Sequence, residues 1–176
     1  METKLYKLSV HLALASVLAV CGVLGVNGYA AVATSSLGVT TQVIGSCSIT
    51  ATPLAFGNIN VLPNVNIDNQ STLNATCTNG TPYVIGLNAG VSSGATVTAR
   101  KMTRLSGGSQ TIQYRLFSDS ARLVNWGNGA TVTNGEKAGT GSGVAQPIIV
   151  YGRIPPGQNL APAAIYNDTI TATINY

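Results

Sequence analysis

The sequence predicts an all-β protein, an antiparallel sandwich of immunoglobulin-like type. Three observations support this: short runs in which apolar and polar residues alternate, turn-forming dipeptides between the runs, and no long run with a helical period after the N-terminal region. About seven runs in a chain of this length are typical of such a sandwich. The residues expected on inward faces are Cys47 and Ile49, then Leu73, Ala75 and Cys77, then Tyr83, Ile85 and Leu87, then Ile112, Tyr114 and Leu116, and finally Ile148, Val150 and Ile154.

The segments between the runs have turn and loop composition. Three Asn-Gly dipeptides, at residues 79–80, 128–129 and 134–135, are of the kind that forms hairpin turns. Residues 106–110 and the glycine-rich residues 138–143 are predicted to be loops. These segments therefore separate the predicted strands without adding a linker or a second domain.

Residues 1–33 are predicted to be a cleaved secretory signal. Lys4 and Lys7 precede an apolar stretch from about residue 8 to residue 26, and Ala31-Val32-Ala33 forms a small-x-small cleavage site. The alternative is an N-terminal membrane anchor, because the apolar stretch approaches the length of a spanning helix. The cleavage site favours the signal, and its removal leaves the length of one domain with a core of useful size.

The two cysteines beyond the signal, Cys47 and Cys77, are predicted to form a disulfide, since export brings a chain into an oxidising compartment. Two buried free thiols are the alternative. A metal site is disfavoured because two sulfurs without a histidine fall short of a zinc ligand set.

Composition argues against an enzyme. The only histidine, His11, lies in the predicted signal, so a hydrolytic triad would lack its usual base. The remaining carboxylates could form a pair, as in glycoside hydrolases, but Asp119 and Asp168 fall at strand ends, where hydrogen bonding to the backbone explains them. No phosphate-binding or calcium-binding loop pattern occurs. We therefore predict no catalytic residue, no cofactor and no metal.

Two further features have competing interpretations. Three of the basic residues fall within residues 100–104, which could indicate an acidic partner; a solvated hairpin end is favoured, because no aromatic residues alternate with them as on a nucleic-acid surface. Trp126 lies beside a turn and could form a sugar-binding platform. We expect it instead to close one end of the sandwich core.

The C-terminal residues predict a strand at the edge of a sheet. In residues 168–176, one face carries Ile170, Ala172, Ile174 and Tyr176, and the other carries threonines and an asparagine. A sandwich that ends on such a strand leaves a row of unpaired backbone groups, which natural proteins cover, blunt or use. We interpret the fold as an incomplete sandwich that lacks its last strand and obtains it from another copy of the chain.

Four ordered motifs carry a family resemblance. Residues 114–119 (YRLFSD), 125–129 (NWGNG), 150–155 (VYGRIP) and 166–176 (YNDTITATINY) resemble the spore coat U domain family, whose best-understood members are subunits of archaic chaperone-usher pili. The resemblance spans residues 47–176. It implies an incomplete immunoglobulin-like sandwich that a periplasmic chaperone holds until an outer-membrane usher exchanges the chaperone strand for the N-terminal extension of the next subunit.

The segment before Cys47 has the pattern of such an extension. Leu37, Val39, Thr41 and Val43 repeat at period two, although Thr41 interrupts an otherwise apolar face. The alternative is that residues 35–44 form a first strand of their own domain. With the resemblance, we predict three parts: a signal (1–33), a donor-strand extension (34–45) and a pilin domain (46–176).

The predicted function is therefore structural. The chain is expected to be a subunit of an extracellular pilus, exported through the periplasm to the cell surface, homopolymerising by donor-strand exchange, with a periplasmic chaperone and an outer-membrane usher as assembly partners. The resemblance implies roles in adhesion and biofilm formation. A secreted or tip-associated carbohydrate-binding module is the alternative, and it requires Trp126 to be exposed.

Overall fold

The computed structural model describes residues 30–60, 62–158 and 164–176. The predicted signal lies almost wholly outside these residues. The chain divides into an N-terminal unit, Met1–Thr41, and a compact unit, Gln42–Tyr176, which contains the strands of the described chain. Its strands are β1 (Cys47–Ala51), β2 (Ile67–Cys77), β3 (Pro82–Leu87), β4 (Arg100–Arg104), β5 (Thr111–Phe117), β6 (Lys137–Thr140), β7 (Gln146–Ile154), β8 (Tyr166–Asn167) and β9 (Ala172–Asn175).

The strands form two antiparallel sheets. One has six strands in the order β1-β2-β7-β5-β4-β8, and the other has three in the order β6-β3-β9. No helix that could cross a membrane occurs in the described parts of the chain. The structure thus confirms the all-β prediction.

The inward faces predicted from alternation form the core. Ala75 and Ile85 are completely buried, and the other core residues of β2, β3, β5 and β7 expose 5% of their surface or less. They belong to one cluster: Leu73, Ala75, Cys77, Tyr83, Ile85, Leu87, Ile112, Tyr114, Leu116, Trp126, Val150 and Ile154. Period-two alternation succeeded because these strands bury one face and expose the other.

Residues 138–143 were predicted to be a loop, which is wrong for residues 138–140 and correct for residues 141–143. Strand β6 begins at Lys137 and pairs with β3 across Tyr83↔Gly139. A Cβ on Gly139 would lie 2.4 Å from Cζ of Tyr83, so the strand needs glycine where the tyrosine ring crosses it. Gly139 therefore allows close packing within the sheet and does not mark a flexible connection.

The Asn-Gly turns also differ from the prediction. The turn at residues 79–80 connects β2 of one sheet to β3 of the other, so it is not a hairpin. The other two dipeptides lie in the loop between β5 and β6, which is organised around the carboxylate of Glu136. That carboxylate accepts hydrogen bonds from the backbone amides of Gly129, Thr133 and Asn134 at 2.9, 2.9 and 2.6 Å.

The basic segment 100–104 forms strand β4. It was predicted to be a solvated hairpin end, and Arg100 does not fit that prediction. Arg100 is completely buried. Its guanidinium donates to four backbone carbonyls, those of Asn88 (2.8 Å), Val97 (2.6 Å), Leu87 (2.8 Å) and Trp126 (2.8 Å). Burial lowers the pKa of Arg100 to about 10, which leaves the group charged at neutral pH.

The C-terminal run is not one continuous strand. Strand β8 pairs with β4 in the six-stranded sheet, whereas β9 pairs with β3 in the three-stranded sheet, so the chain crosses between the sheets over residues 168–171. Two hydrogen bonds connect this crossing to residues 88–91. Asp168 Oδ1 accepts from the amide of Val91, and Asn88 Oδ1 accepts from the amide of Thr171. Local alternation could not reveal the change of sheet.

Candidate partner-strand groove

An apolar groove of about 1230 Å³ lies between the two sheets. The six-stranded sheet lines it with inward residues of β2, β5 and β7, and the three-stranded sheet adds Leu87 and Ala172. The core residues that line it are Leu73, Leu87, Ile112, Tyr114, Leu116, Val150 and Ile154. A sandwich with a full set of strands would close its core over these side chains, whereas the described chain leaves this part of the core uncovered.

One wall of the groove is the C-terminal segment. Ile170 and Ala172 line it, and Ile174, on the same face, is half-buried against the core. Within the described chain, β9 pairs only with β3, which leaves its other backbone edge without a strand. Tyr176 departs from the predicted face, since 64% of its surface is exposed.

The opposite wall is the irregular segment that follows β1, residues 52–60. Leu54, Phe56 and Ile59 turn inward and pack against the core, and Phe56 contacts the ring of Tyr114 edge-to-face at a centroid distance of 6.4 Å. A Cβ on Gly152 of β7 would lie 2.8 Å from Cδ1 of Leu54 and 2.9 Å from Cζ of Phe56. Gly152 therefore provides the space in which this wall rests on the sheet.

A polar pair interrupts the apolar lining. Asp168 Oδ2 accepts a hydrogen bond from the hydroxyl of Tyr114 at 2.7 Å, and both residues line the groove. Burial, together with this hydrogen bond, raises the pKa of Tyr114 well above its ordinary value, so the hydroxyl stays protonated and donates.

The predicted donor residues are exposed and carry no strand. Leu37, Val39 and Val43 expose 88, 87 and 78% of their surfaces, and no strand is assigned between residues 30 and 46. Thr41 is exposed as well. The alternative, in which residues 35–44 form a first strand of their own domain, is not observed.

The predicted disulfide is present. Cys47 of β1 and Cys77 of β2 are paired neighbours in the sheet, and their sulfurs are bonded. The bond therefore lies at the point where the exposed extension enters the six-stranded sheet.

Sequence reasoning missed one wall of the groove and its polar pair. Leu54 and Phe56 alternate at period two after β1, and this pattern together with the central Gly152 was the available signal. Asp168 was interpreted as a strand-end residue, and its contacts with the amides of Val91 and Thr169 agree with that interpretation. The sequence did not indicate that the same carboxylate also faces a groove.

Other candidate sites considered in the sequence have structural roles. Trp126 is completely buried and its Nε1 donates to the carbonyl of Ile85 at 2.8 Å, so it cannot form the exposed platform of a sugar-binding site. Asp119 accepts from the amides of Leu123 and Val124, as its turn position suggested. In the part of the chain that the structure describes, no three His, Cys, Asp or Glu side chains come together as a metal-binding group.

The fold and the groove define a class: a small immunoglobulin-like β-sandwich whose core is open along one unpaired strand edge. Comparison of sequences makes the assignment specific. Residues 33–173 match the Spore Coat Protein U domain, and the chain belongs to that family. Its relatives include Protein U of Myxococcus xanthus, with 35% identity over 161 residues, covering 84% of this chain and 87% of the relative. The chain is accordingly a structural protein and not an enzyme.

The fold is similar to that of a solved pilus protein. The CsuC–CsuE chaperone–tip adhesion subunit pre-assembly complex, from archaic chaperone-usher Csu pili of Acinetobacter baumannii, contains a chain that superposes with a TM-score of 0.53 at 23% identity. The match covers 76% of this chain and 40% of that one. The minor tip subunit HdaB of the Escherichia coli Hda pilus matches with a TM-score of 0.38 at 16% identity, covering 72% of this chain and 79% of that one.

Proposed function

We propose that this protein is a structural subunit of a surface pilus that polymerises by donor-strand exchange. The observation that carries the proposal is the open groove, bordered by the unpaired edge of β9, in a member of the Spore Coat Protein U domain family. A strand from another copy would complete the sheet and cover the core, as in other cases of strand addition, where the backbone supplies affinity and alternating side chains supply specificity.

The donor is the extension at residues 34–45. Its exposed Leu37, Val39 and Val43 are spaced by two and four residues, so all three side chains lie on one face and enter the groove together when the segment is extended. Ten extended residues reach roughly 33 Å, longer than a typical strand of about 17–20 Å. Burying three aliphatic side chains contributes roughly 5–9 kcal/mol before ordering costs, with backbone hydrogen bonds in addition.

Joining an extension to the groove of the next copy produces a fibre. The donor and acceptor surfaces are different parts of one chain, so the contact is head-to-tail and propagates when it does not close into a ring. A single domain that carries both surfaces suits the repeating subunit of a rod. Adhesion and biofilm formation are the cellular roles that follow for such a fibre.

Assembly requires that the groove be covered before polymerisation, because an open apolar groove and an unpaired strand edge favour aggregation. A periplasmic chaperone covers it and an outer-membrane usher exchanges the chaperone for the donor strand. The likeness of this fold to the subunit in a chaperone complex supports such a partnership. The route begins with cleavage of residues 1–33 as a secretory signal and ends at the cell surface.

The test is a pair of variants in the extension, produced in the native host. Val39→Asp puts a charge on the face that enters the groove, and fibres reacting with an antibody to this chain should disappear from electron micrographs of sheared surface material. Thr40→Asp puts the same charge on the opposite face and should leave fibres present. Surface fibres that persist in Val39→Asp, or in a deletion of residues 34–44, would contradict the proposal.

A further inference from the structure

The groove contains one charged side chain among the described residues that line it, that of Asp168. Along its wall, alternate residues of the C-terminal segment turn inward, so Asp168, Ile170 and Ala172 follow one another on the groove face. An extended partner strand beside this wall meets a carboxylate first, then a large aliphatic side chain, and then a small one.

Asp168 has hydrogen-bonding capacity to spare. Its Oδ1 already accepts from the amides of Val91 (2.9 Å) and Thr169 (2.8 Å), but its Oδ2 accepts from Tyr114 alone among the described residues. A carboxylate oxygen accepts two hydrogen bonds, and the tyrosine hydroxyl oxygen can accept one. An aliphatic side chain placed over this pair would remove it from water and offer no donor, which is costly for a charged group.

One side chain of the extension can supply the missing hydrogen-bond donor. Among Leu37, Val39, Thr41 and Val43, only Thr41 carries a hydroxyl. Sliding a strand by one residue turns its apolar face to water, so the possible registers differ by steps of two. A step in either direction places Val39 or Val43 against Asp168.

We propose, on the basis of the function proposed above, that Thr41 of the incoming copy pairs with Asp168 and Tyr114 and thereby sets the register of the donor strand. The strand runs antiparallel to the C-terminal segment, as do all strand pairs of the described chain. Val39 then lies beside Ile170, and Leu37 lies beside Ala172, whose small side chain leaves room for it. Thr41 is a specificity residue and not a flaw in the apolar pattern.

The register is tested on fibres of the full chain, isolated from the native host, by the rate at which denaturant releases subunits. Thr41→Val should accelerate release roughly 10- to 100-fold, the effect expected for losing a hydrogen bond to a charged group. Thr40→Val makes the same change on the opposite face and should leave the rate within about twofold. Equal rates for the two variants would overturn the proposed register.

A second measurement locates the strand directly. Lysine should be tolerated at position 41, where its ammonium meets Asp168, and should abolish fibres at positions 39 and 43. In the chain carrying Leu37→Cys and Ala172→Cys, neighbouring Cα atoms should lie about 4.5–5.5 Å apart, within reach of a disulfide. Oxidation should then yield covalent ladders of subunits. Lysine tolerated at position 39 or 43 but not at 41, or the absence of ladders, would overturn the register.

These outcomes separate the two proposals. If the wild-type chain forms no multimers that depend on residues 34–44, donor-strand polymerisation is wrong and the register falls with it. If multimers depend on residues 34–44 but Thr41→Val behaves like Thr40→Val, polymerisation stands and only the register is overturned.

Discussion

Nη2 of Arg100 donates a hydrogen bond to the carbonyl oxygen of Trp126 at 2.8 Å, and the same nitrogen donates to the carbonyl of Leu87 at 2.8 Å. Arg100 belongs to the six-stranded sheet and Leu87 to the three-stranded sheet. The guanidinium therefore joins the two layers of the sandwich at one end of the core. In a domain with an open groove between its sheets, this link holds the two layers in position.

Replacing Arg100 with Met should lower the free energy of unfolding by roughly 2–4 kcal/mol, because several buried carbonyls lose their donor at once. The measurement is urea unfolding of the purified, disulfide-intact chain. Arg115→Met is the matched control, since Arg115 lies exposed on β5, and it should change the unfolding free energy by about 0.5 kcal/mol or less. Similar losses in both variants would show that Arg100 does not link the sheets.

Enlarging Gly152 should obstruct the groove wall. Gly152→Val places methyl groups where Leu54 and Phe56 now rest, and we expect a loss of roughly 1–3 kcal/mol in stability together with fewer fibres. Adding Leu54→Ala to Gly152→Val creates space and should restore part of both losses. The measurements are urea unfolding and the yield of sheared fibres, and a double variant worse than the sum of the single ones would refute this packing.

Glu136 should make folding sensitive to acid. Burial alone would raise the pKa of its carboxyl group, but the hydrogen bonds from the amides of Asn134, Gly129 and Thr133 outweigh burial and lower the pKa. A carboxyl group whose pKa is lower in the folded state stabilises the fold above its unfolded pKa of about 4.3, and this contribution is lost as pH falls through the folded pKa.

Glu136→Gln should therefore be less stable than the wild type at pH 7, and the difference should shrink as pH falls below about 4.3. Stability is measured by urea unfolding at several pH values from 7 down to 3. Parallel curves for the two proteins over that whole range would show that Glu136 does not titrate with folding.

The sequence was sufficient to predict which residues form the core. It was not sufficient to predict the contacts that connect the two sheets. The inward faces of β2, β3, β5 and β7 were predictable because alternation is local and each strand buries one side. Arg100 was misread because its acceptors, among them the carbonyls of Leu87 and Trp126, are brought to it only by the folded chain. The same limit applies to the groove: Ile170 and Ala172 were predictable as an inward face, whereas the opposite wall depends on the fit of Leu54 to Gly152.

The disulfide should contribute strongly to the stability of the isolated chain. It links Cys47 and Cys77 across paired strands and closes a loop with a sequence separation of 30. Closing such a loop in the unfolded chain corresponds to about 3–4 kcal/mol in the chain-entropy description. The variant in which both Cys47 and Cys77 become Ala should lose about that much free energy of unfolding. Reductant should destabilise the wild type by a similar amount and leave the double variant unchanged, and a double variant as stable as the oxidised wild type would contradict this role.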